Sequence, residues 1–159
     1  MNINFNAVKT LLKKNAKKRP ILTCMSYRKD KIIFTDSYSL VEIEASNDVE
    51  FNLDVMELRL SGGTFPNVDG VKPPKNELTQ VSSIAPSLNS ERVELYLIDG
   101  YPFIRTQVDQ TFKTVGINFY KDLTPKDIKL KTRPNHGVLI YETDDVYVLV
   151  LGIYKEDEL

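Results

Sequence analysis

The chain has one cysteine, one histidine and no tryptophan among its 159 residues. With Cys24 alone, no intrachain disulfide can form, and a reducing cytosol is the expected compartment. His136 lies in the turn-like Pro134-Asn-His-Gly137. A single histidine and a single cysteine cannot assemble a zinc site of the usual ligands or a Cys–His nucleophile pair. Long apolar runs are also missing. The longest, at residues 146–153, falls well short of the ~20 residues that a membrane span needs, so no membrane partner is expected. The start is polar, which argues against a secretory leader. Without one, the terminal Lys155-Glu-Asp-Glu-Leu159, which looks like a retrieval signal, is a chance match. The most informative absence is local: no acidic residue stands between Lys9 and Arg19.

That interval is filled with cations: Lys9, Lys13, Lys14, Lys17, Lys18 and Arg19. Residues 1–35 carry nine Lys or Arg against the single acid Asp30, a net +8, and residues 36–159 carry twelve against twenty-one, a net −9. The overall −1 conceals a charge dipole. Such asymmetry suggests one surface for a polyanion and another that is simply solvated. The length suits one domain, and the composition is that of an ordinary globular protein.

The spacing predicts an amphipathic helix over residues 5–18. Val8, Leu11, Leu12 and Ala16 form the buried stripe, and the five lysines fan over the opposite side. Asn4 or Asn6 is placed to cap its start, and Pro20 ends it by disfavouring helical geometry at Arg19. Beyond Pro20 the period changes from 3.6 to 2. Strands are predicted at 21–27, 31–35 and 40–45, with turns at 28–31 and 36–39. Residues 51–60 alternate like a strand but also fit a short helix. Residues 61–75, rich in glycine and proline, read as turn and linker, and 78–88 reads as a weak helix interrupted by Pro86. Strands are expected again at 93–98 and 103–108 around Asp99-Gly-Tyr-Pro102, at 111–117, and at 138–141 pairing with 146–153. A short helix fits 119–127. The chain is thus expected to be α+β, a single domain of residues 1–159. Within it two helix-plus-antiparallel-sheet units, about 1–60 and 76–155, flank the 61–75 linker.

No constellation supports catalysis. Cys24 is mid-strand and reads as a small core residue. Ser61-Gly-Gly63 lacks the lysine and the following helix of a phosphate loop. Asp36, Asp109, Asp144 and Asp145 are explained as scattered surface carboxylates better than as acid–base or magnesium-binding groups. No catalytic residue, metal or cofactor is therefore expected. Arg28, Lys29 and Lys31 form a second basic cluster, read as ordinary hairpin chemistry, and Lys72 and Lys75 read as a solvated linker. Single-strand binding is disfavoured because no aromatic residues interleave with the lysines in sequence.

Several segments carry a resemblance. Residues 5–14 (FNAVKTLLKK), Arg19-Pro-Ile-Leu-Thr23 and Ile33-Phe-Thr-Asp-Ser-Tyr-Ser-Leu-Val41 resemble the bacterial β sliding clamp of replicative DNA polymerase. That family shows a helix, an RPILTG-like strand and a TATDSYRL-like hairpin. Residues 63–73 look like its G-K-F-P-D-Y…I-P segment, and 137–141 with 146–154 are similar to its closing strands. The sequence departs at Ser39, where the family has arginine. The chain is also shorter than two of the three domains in a bacterial clamp subunit, a compression that fits a phage or prophage relative. The resemblance implies a DNA-clamp-like fold and a non-enzymatic, oligomeric, cytoplasmic processivity factor in DNA replication. Lys9, Lys13, Lys14, Lys17, Lys18 and Arg19 would hold the phosphate backbone of duplex DNA without reading bases. It also implies a DNA polymerase or clamp-loader partner and an apolar cleft for partner peptides, with Tyr141, Val146, Tyr147 and Leu149 in the matching region or in the core. The alternative is a clamp-fold interaction module that docks on a host clamp or polymerase without encircling DNA.

Overall fold

The computed structural model describes residues 3–83, 94–98, 101–105, 110–113, 129–133, 138–142 and 144–154. The expected helix at 119–127, the later part of that at 78–88, Asp109, His136 and residues 155–159 lie outside them.

One α-helix is described, α1 (Phe5–Leu12), capped by Asn4, whose Oδ1 accepts from Ala7 N at 3.2 Å. Val8, Leu11 and Leu12 are buried as their spacing predicts. The α-helix ends earlier than expected. Lys13–Asn15 tightens into a 3₁₀ turn, which advances the phase of the chain, so that Asn15 is buried while Ala16 is exposed. Asn15 Nδ2 donates to Leu22 O at 2.9 Å and Thr35 O at 3.0 Å, fixing the end of the helical segment to the sheet. The strand expected at 21–27 is also shortened. Pro20–Thr23 is a 3₁₀ turn closed by Leu22 N to Arg19 O and by Thr23 Oγ1 to Pro20 O. Local turn bonds here outcompete ladder bonds.

The strands are β1 (Cys24–Tyr27), β2 (Lys31–Thr35), β3 (Ser39–Glu44), β4 (Phe51–Asp54), β5 (Arg59–Ser61), β6 (Thr79–Ser83), β7 (Glu94–Ile98), β8 (Tyr101–Arg105), β9 (Gln110–Lys113), β10 (Lys129–Arg133), β11 (Val138–Glu142), β12 (Val146–Leu151) and β13 (Ile153–Tyr154). Nine of them form one antiparallel sheet, ordered β5-β4-β1-β2-β3-β12-β11-β10-β6, and β13-β9-β8-β7 forms a second. The two halves of the chain meet within the larger sheet, where Val41 of β3 opposes Val148 of β12. Residues 51–60 are neither one strand nor a helix. Asp54 Oδ1 accepts from Met56 N and Glu57 N, and the resulting turn, with Leu58 at φ 53, separates β4 from β5. Thr79–Ser83, expected as helix, is instead the edge strand β6, paired with β10. The pairings β7–β8, with Ile98 opposite Tyr101, and β11–β12 follow the predicted hairpins.

Period-2 alternation divides the large sheet into two faces. One carries Met25, Ile32, Phe34, Val41, Ile43, Leu139 and Val148 and packs with Val8, Leu11 and Leu12 of α1. The other carries Cys24, Ile33, Leu40, Ile140 and Leu149 and packs with Leu22 and Phe65. The stretch read as linker is therefore in part a cover: Phe65 and Pro73 are buried, and Val68 and Leu78 pack on the same face.

Candidate nucleic-acid interface

The basic segment starts on α1 and continues through the turns that follow. Lys9, Lys13, Lys14, Lys17, Lys18 and Arg19 are all exposed. Burial of Val8, Leu11 and Leu12 against the sheet forces the intervening positions outward, and the Asn15 hydrogen bonds hold residues 13–19 at the Thr35 end of β2. Among the described residues, Lys9, Lys13, Lys17, Lys18 and Arg19 form no ion pair. Five cations thus gather without a neutralising carboxylate.

Lys14 is different. Its Nζ lies 2.8 Å from Asp36 Oδ2, and Asp36, expected as a surface carboxylate, is instead buried in the turn with its side chain 2% exposed. Asp36 Oδ1 accepts from Tyr38 N, Ser39 N and Ser39 Oγ at 3.0, 2.7 and 2.8 Å. This is the structural meaning of Thr35-Asp-Ser-Tyr: the aspartate is the hub of the β2–β3 turn, with Ser37 at φ 77. The turn presents Tyr38, which is 57% exposed. Leu151 N donates to Tyr38 O at 2.8 Å, so the exposed Leu151 lies beside it. Neither side chain is marked as a surface group by the sequence pattern, although Tyr38 belongs to Thr35-Asp-Ser-Tyr.

Two members of the second basic cluster are bound up in structure, while Lys29 is exposed. Arg28 faces Glu50 at 3.5 Å, and Lys31 lies 3.4 Å from Glu42 and 3.6 Å from Asp69. Burial works against the charge on Lys31, but Glu42, with Asp69 and Asp30, outweighs it and pushes the ammonium up. Lys72, expected in a solvated linker, also binds Glu42 and stands 5.2 Å from the Tyr147 ring centre. Burial, then the charges of Glu142 and Glu42, push the Tyr147 phenol up. These contacts fasten residues 69–72 to the sheet. Val146 and Leu149 are core residues, and Tyr147 is half-buried against the second core cluster. Val146 and Tyr147 also line an open cleft of about 310 Å³, but its other lining side chains are charged, so it is not apolar.

Cys24 is 1% exposed and its thiol is pushed up by burial, the surroundings of a packing residue. Ser61 and Gly63 form a turn in which Gly63 N donates to Ser61 Oγ. Among the described residues no group of three His, Cys, Asp or Glu side chains is arranged to hold a metal. No helix among them is long and apolar enough to cross a membrane.

No protein-family model matches the sequence, and neither does any curated protein. Solved structures do match. The Helicobacter pylori beta clamp bound to a DNA ligase peptide is 13% identical with a TM-score of 0.52, covering 94% of this chain and 62% of that one. DNA polymerase III subunit beta from Borrelia burgdorferi is 10% identical with a TM-score of 0.54, at 98% and 64% coverage. The DNA polymerase sliding clamp of Bacillus subtilis is 14% identical with a TM-score of 0.50, at 96% and 63%. The chain spans less than two thirds of these clamps' length. Its α+β fold is clamp-like.

Proposed function

We propose that this clamp-folded chain is a non-enzymatic protein that binds duplex DNA without sequence preference and acts in replication as an oligomeric processivity factor. In this reading residues 1–159 work as one clamp-like domain. The observation that carries it is the group of five exposed cations at Lys9, Lys13, Lys17, Lys18 and Arg19, which form no ion pair among the described residues, displayed on a clamp-like scaffold. Lysines hold phosphates as flexible point charges and read no sequence, so the bound duplex stays free to slide. Oligomerisation is favoured by β5, an edge of the large sheet among the described residues, where Leu60 is 68% exposed and Leu58, in the turn before it, is 72% exposed. An apolar open edge is a template for pairing with another chain. Light scattering should give a multimer that Leu60→Asp dissociates, and the multimer should stay on closed circular DNA and leave it after linearisation. Equal retention on both forms, or a monomer at micromolar concentration, rejects the ring.

A second reading is a protein-docking module. The neighbouring exposed side chains Tyr38 and Leu151, 57% and 42% exposed and linked through their backbones, favour it. The H. pylori clamp was solved with a DNA ligase peptide bound. By analogy an apolar peptide segment of a polymerase or clamp loader would seat on Tyr38 and Leu151. Charge reversal at Lys9, Lys13 and Lys17 separates the readings: it abolishes DNA retention in the first and leaves partner capture intact in the second.

A further inference from the structure

The bridge between Lys14 and Asp36 is asymmetric. The Lys14 side chain is 47% exposed, whereas that of Asp36 is 2% exposed. The lysine is able to leave, and the carboxylate is not able to follow. Stripping a buried carboxylate of its counter-charge is costly, so whatever takes Lys14 away acts on everything Asp36 holds. Asp36 holds the backbone of Tyr38 and both polar groups of Ser39. Lys14 Nζ also stands 5.7 Å from the Tyr38 ring centre. Tyr38 O in turn receives Leu151 N. A single carboxylate thus joins one cation of the basic surface to the turn that displays Tyr38 and Leu151.

We propose that Lys14 is a positioning residue, the joint through which a polyanion on the basic surface loosens the Tyr38 turn. This rests on the reading of that surface as a phosphate-binding one. A phosphate oxygen arriving beside Lys13 and Lys17 competes for Lys14, the exposed member of its pair. The buried Asp36 then lacks the charge opposite it, which weakens the hold of its three hydrogen bonds on the turn. The turn, with Ser37 already in the left-handed region, then opens more often. The coupling is reciprocal: a ligand that needs the turn closed over Tyr38 and Leu151 weakens duplex binding by the same factor. DNA and a docked partner would oppose one another without sharing an atom, which suits a protein that must exchange partners on one duplex.

Hydrogen exchange of the Tyr38, Ser39 and Leu151 amides of the full chain tests this, with and without a 20-base-pair duplex whose saturation is followed by anisotropy. In the wild type the duplex should speed exchange by about fivefold, at the low end of ordinary coupling. Lys14→Met should exchange faster from the start and show no response, while Lys14→Arg should retain it. Asp36→Asn keeps the acceptor and removes the charge, and it should also abolish the response. Duplex binding that leaves wild-type exchange unchanged, or an equal response in Lys14→Met and Asp36→Asn, overturns the joint alone. Failure to bind the duplex at all overturns the phosphate-binding surface and the joint with it.

Discussion

If the five cations that form no ion pair among the described residues hold phosphates as proposed, they set a number for the salt dependence of DNA binding. Each phosphate neutralised on duplex DNA contributes about −0.9 to the slope of log K against log salt, so five contribute about −4.5. Raising salt from 50 to 200 mM should then weaken binding by about 500-fold. Lys9, Lys13 and Lys17 are exposed and make no ion pair among the described residues, so replacing all three with alanine removes phosphate contacts and disturbs no packing. Two contacts remain, the slope falls to about −1.8, and the same salt step costs only about 12-fold. Anisotropy titrations of a labelled duplex at four or five salt concentrations measure both slopes. Circular dichroism of the triple variant checks that its fold and thermal midpoint match the wild type. A wild-type slope shallower than −2, or a triple variant that keeps the wild-type slope, refutes the assignment of this surface to phosphates.

Two further expectations concern stability. Asn15→Ala strips the hydrogen-bond donor from Leu22 O and Thr35 O and should lower the unfolding free energy by on the order of 2–4 kcal/mol; a loss below 0.5 kcal/mol in urea titration contradicts that role. Alkaline pH should also destabilise the fold. The Cys24 thiol and the Tyr27 and Tyr147 phenols are pushed above their ordinary 9.0, 10.0 and 10.0 chiefly by burial, and Lys31 above its 10.5 by Glu42 against its own burial. A folded-state value above the unfolded one gives stability that is complete below the unfolded value and lost as pH rises through the folded one. The thermal midpoint should therefore hold to about pH 9 and fall progressively beyond it. A flat midpoint from pH 8 to 11 contradicts this.

What could be read directly was local and periodic. The α1 stripe, the β2–β3 hairpin and the β11–β12 pair all follow from short-range apolar spacing. Other features depended on partners distant in sequence. Asn15 looks like one more polar residue of a wet helix face. Only the 3₁₀ tightening at Lys13–Asn15 turns it inward to Thr35 O. Lys129–Arg133 alternates Leu130 and Thr132 with Lys129, Lys131 and Arg133, a pattern obscured by its charge. Yet it is strand β10, with Lys129 opposite Glu142. Residues 61–75 carry the glycine and proline of a linker, but burial of Phe65 needs the face formed by Ile33, Leu40 and Leu149. The basic candidates were correctly placed on the surface as a group. The separate role of Lys14 was hidden, because nothing in the spacing of residues 14 and 36 declares a 2.8 Å bridge.

Among the described residues, charge is also separated in space. Asn15 and Lys14 fix the basic segment to the end of β2 at Thr35 and Asp36. The other end of β2, at Lys31, opens onto an acidic cleft of about 310 Å³ whose lining includes Asp30, Glu44, Asp144 and Asp145. A strand of five residues separates these ends by about 14 Å, at roughly 3.4 Å per residue. The Debye length at physiological salt is about 8 Å, so the acidic end is screened from the basic end and does not cancel it. A polyanion approaching the Lys13–Arg19 side meets locally uncompensated positive charge, although the whole chain is at −1. Under the proposed function the same geometry should orient the approach, the acidic end repelling a duplex and turning the basic end toward it. Net charge alone would have predicted weak, unsteered association. If the basic side binds duplex DNA as proposed, the strand that holds the two ends apart should make that association fast and salt-sensitive.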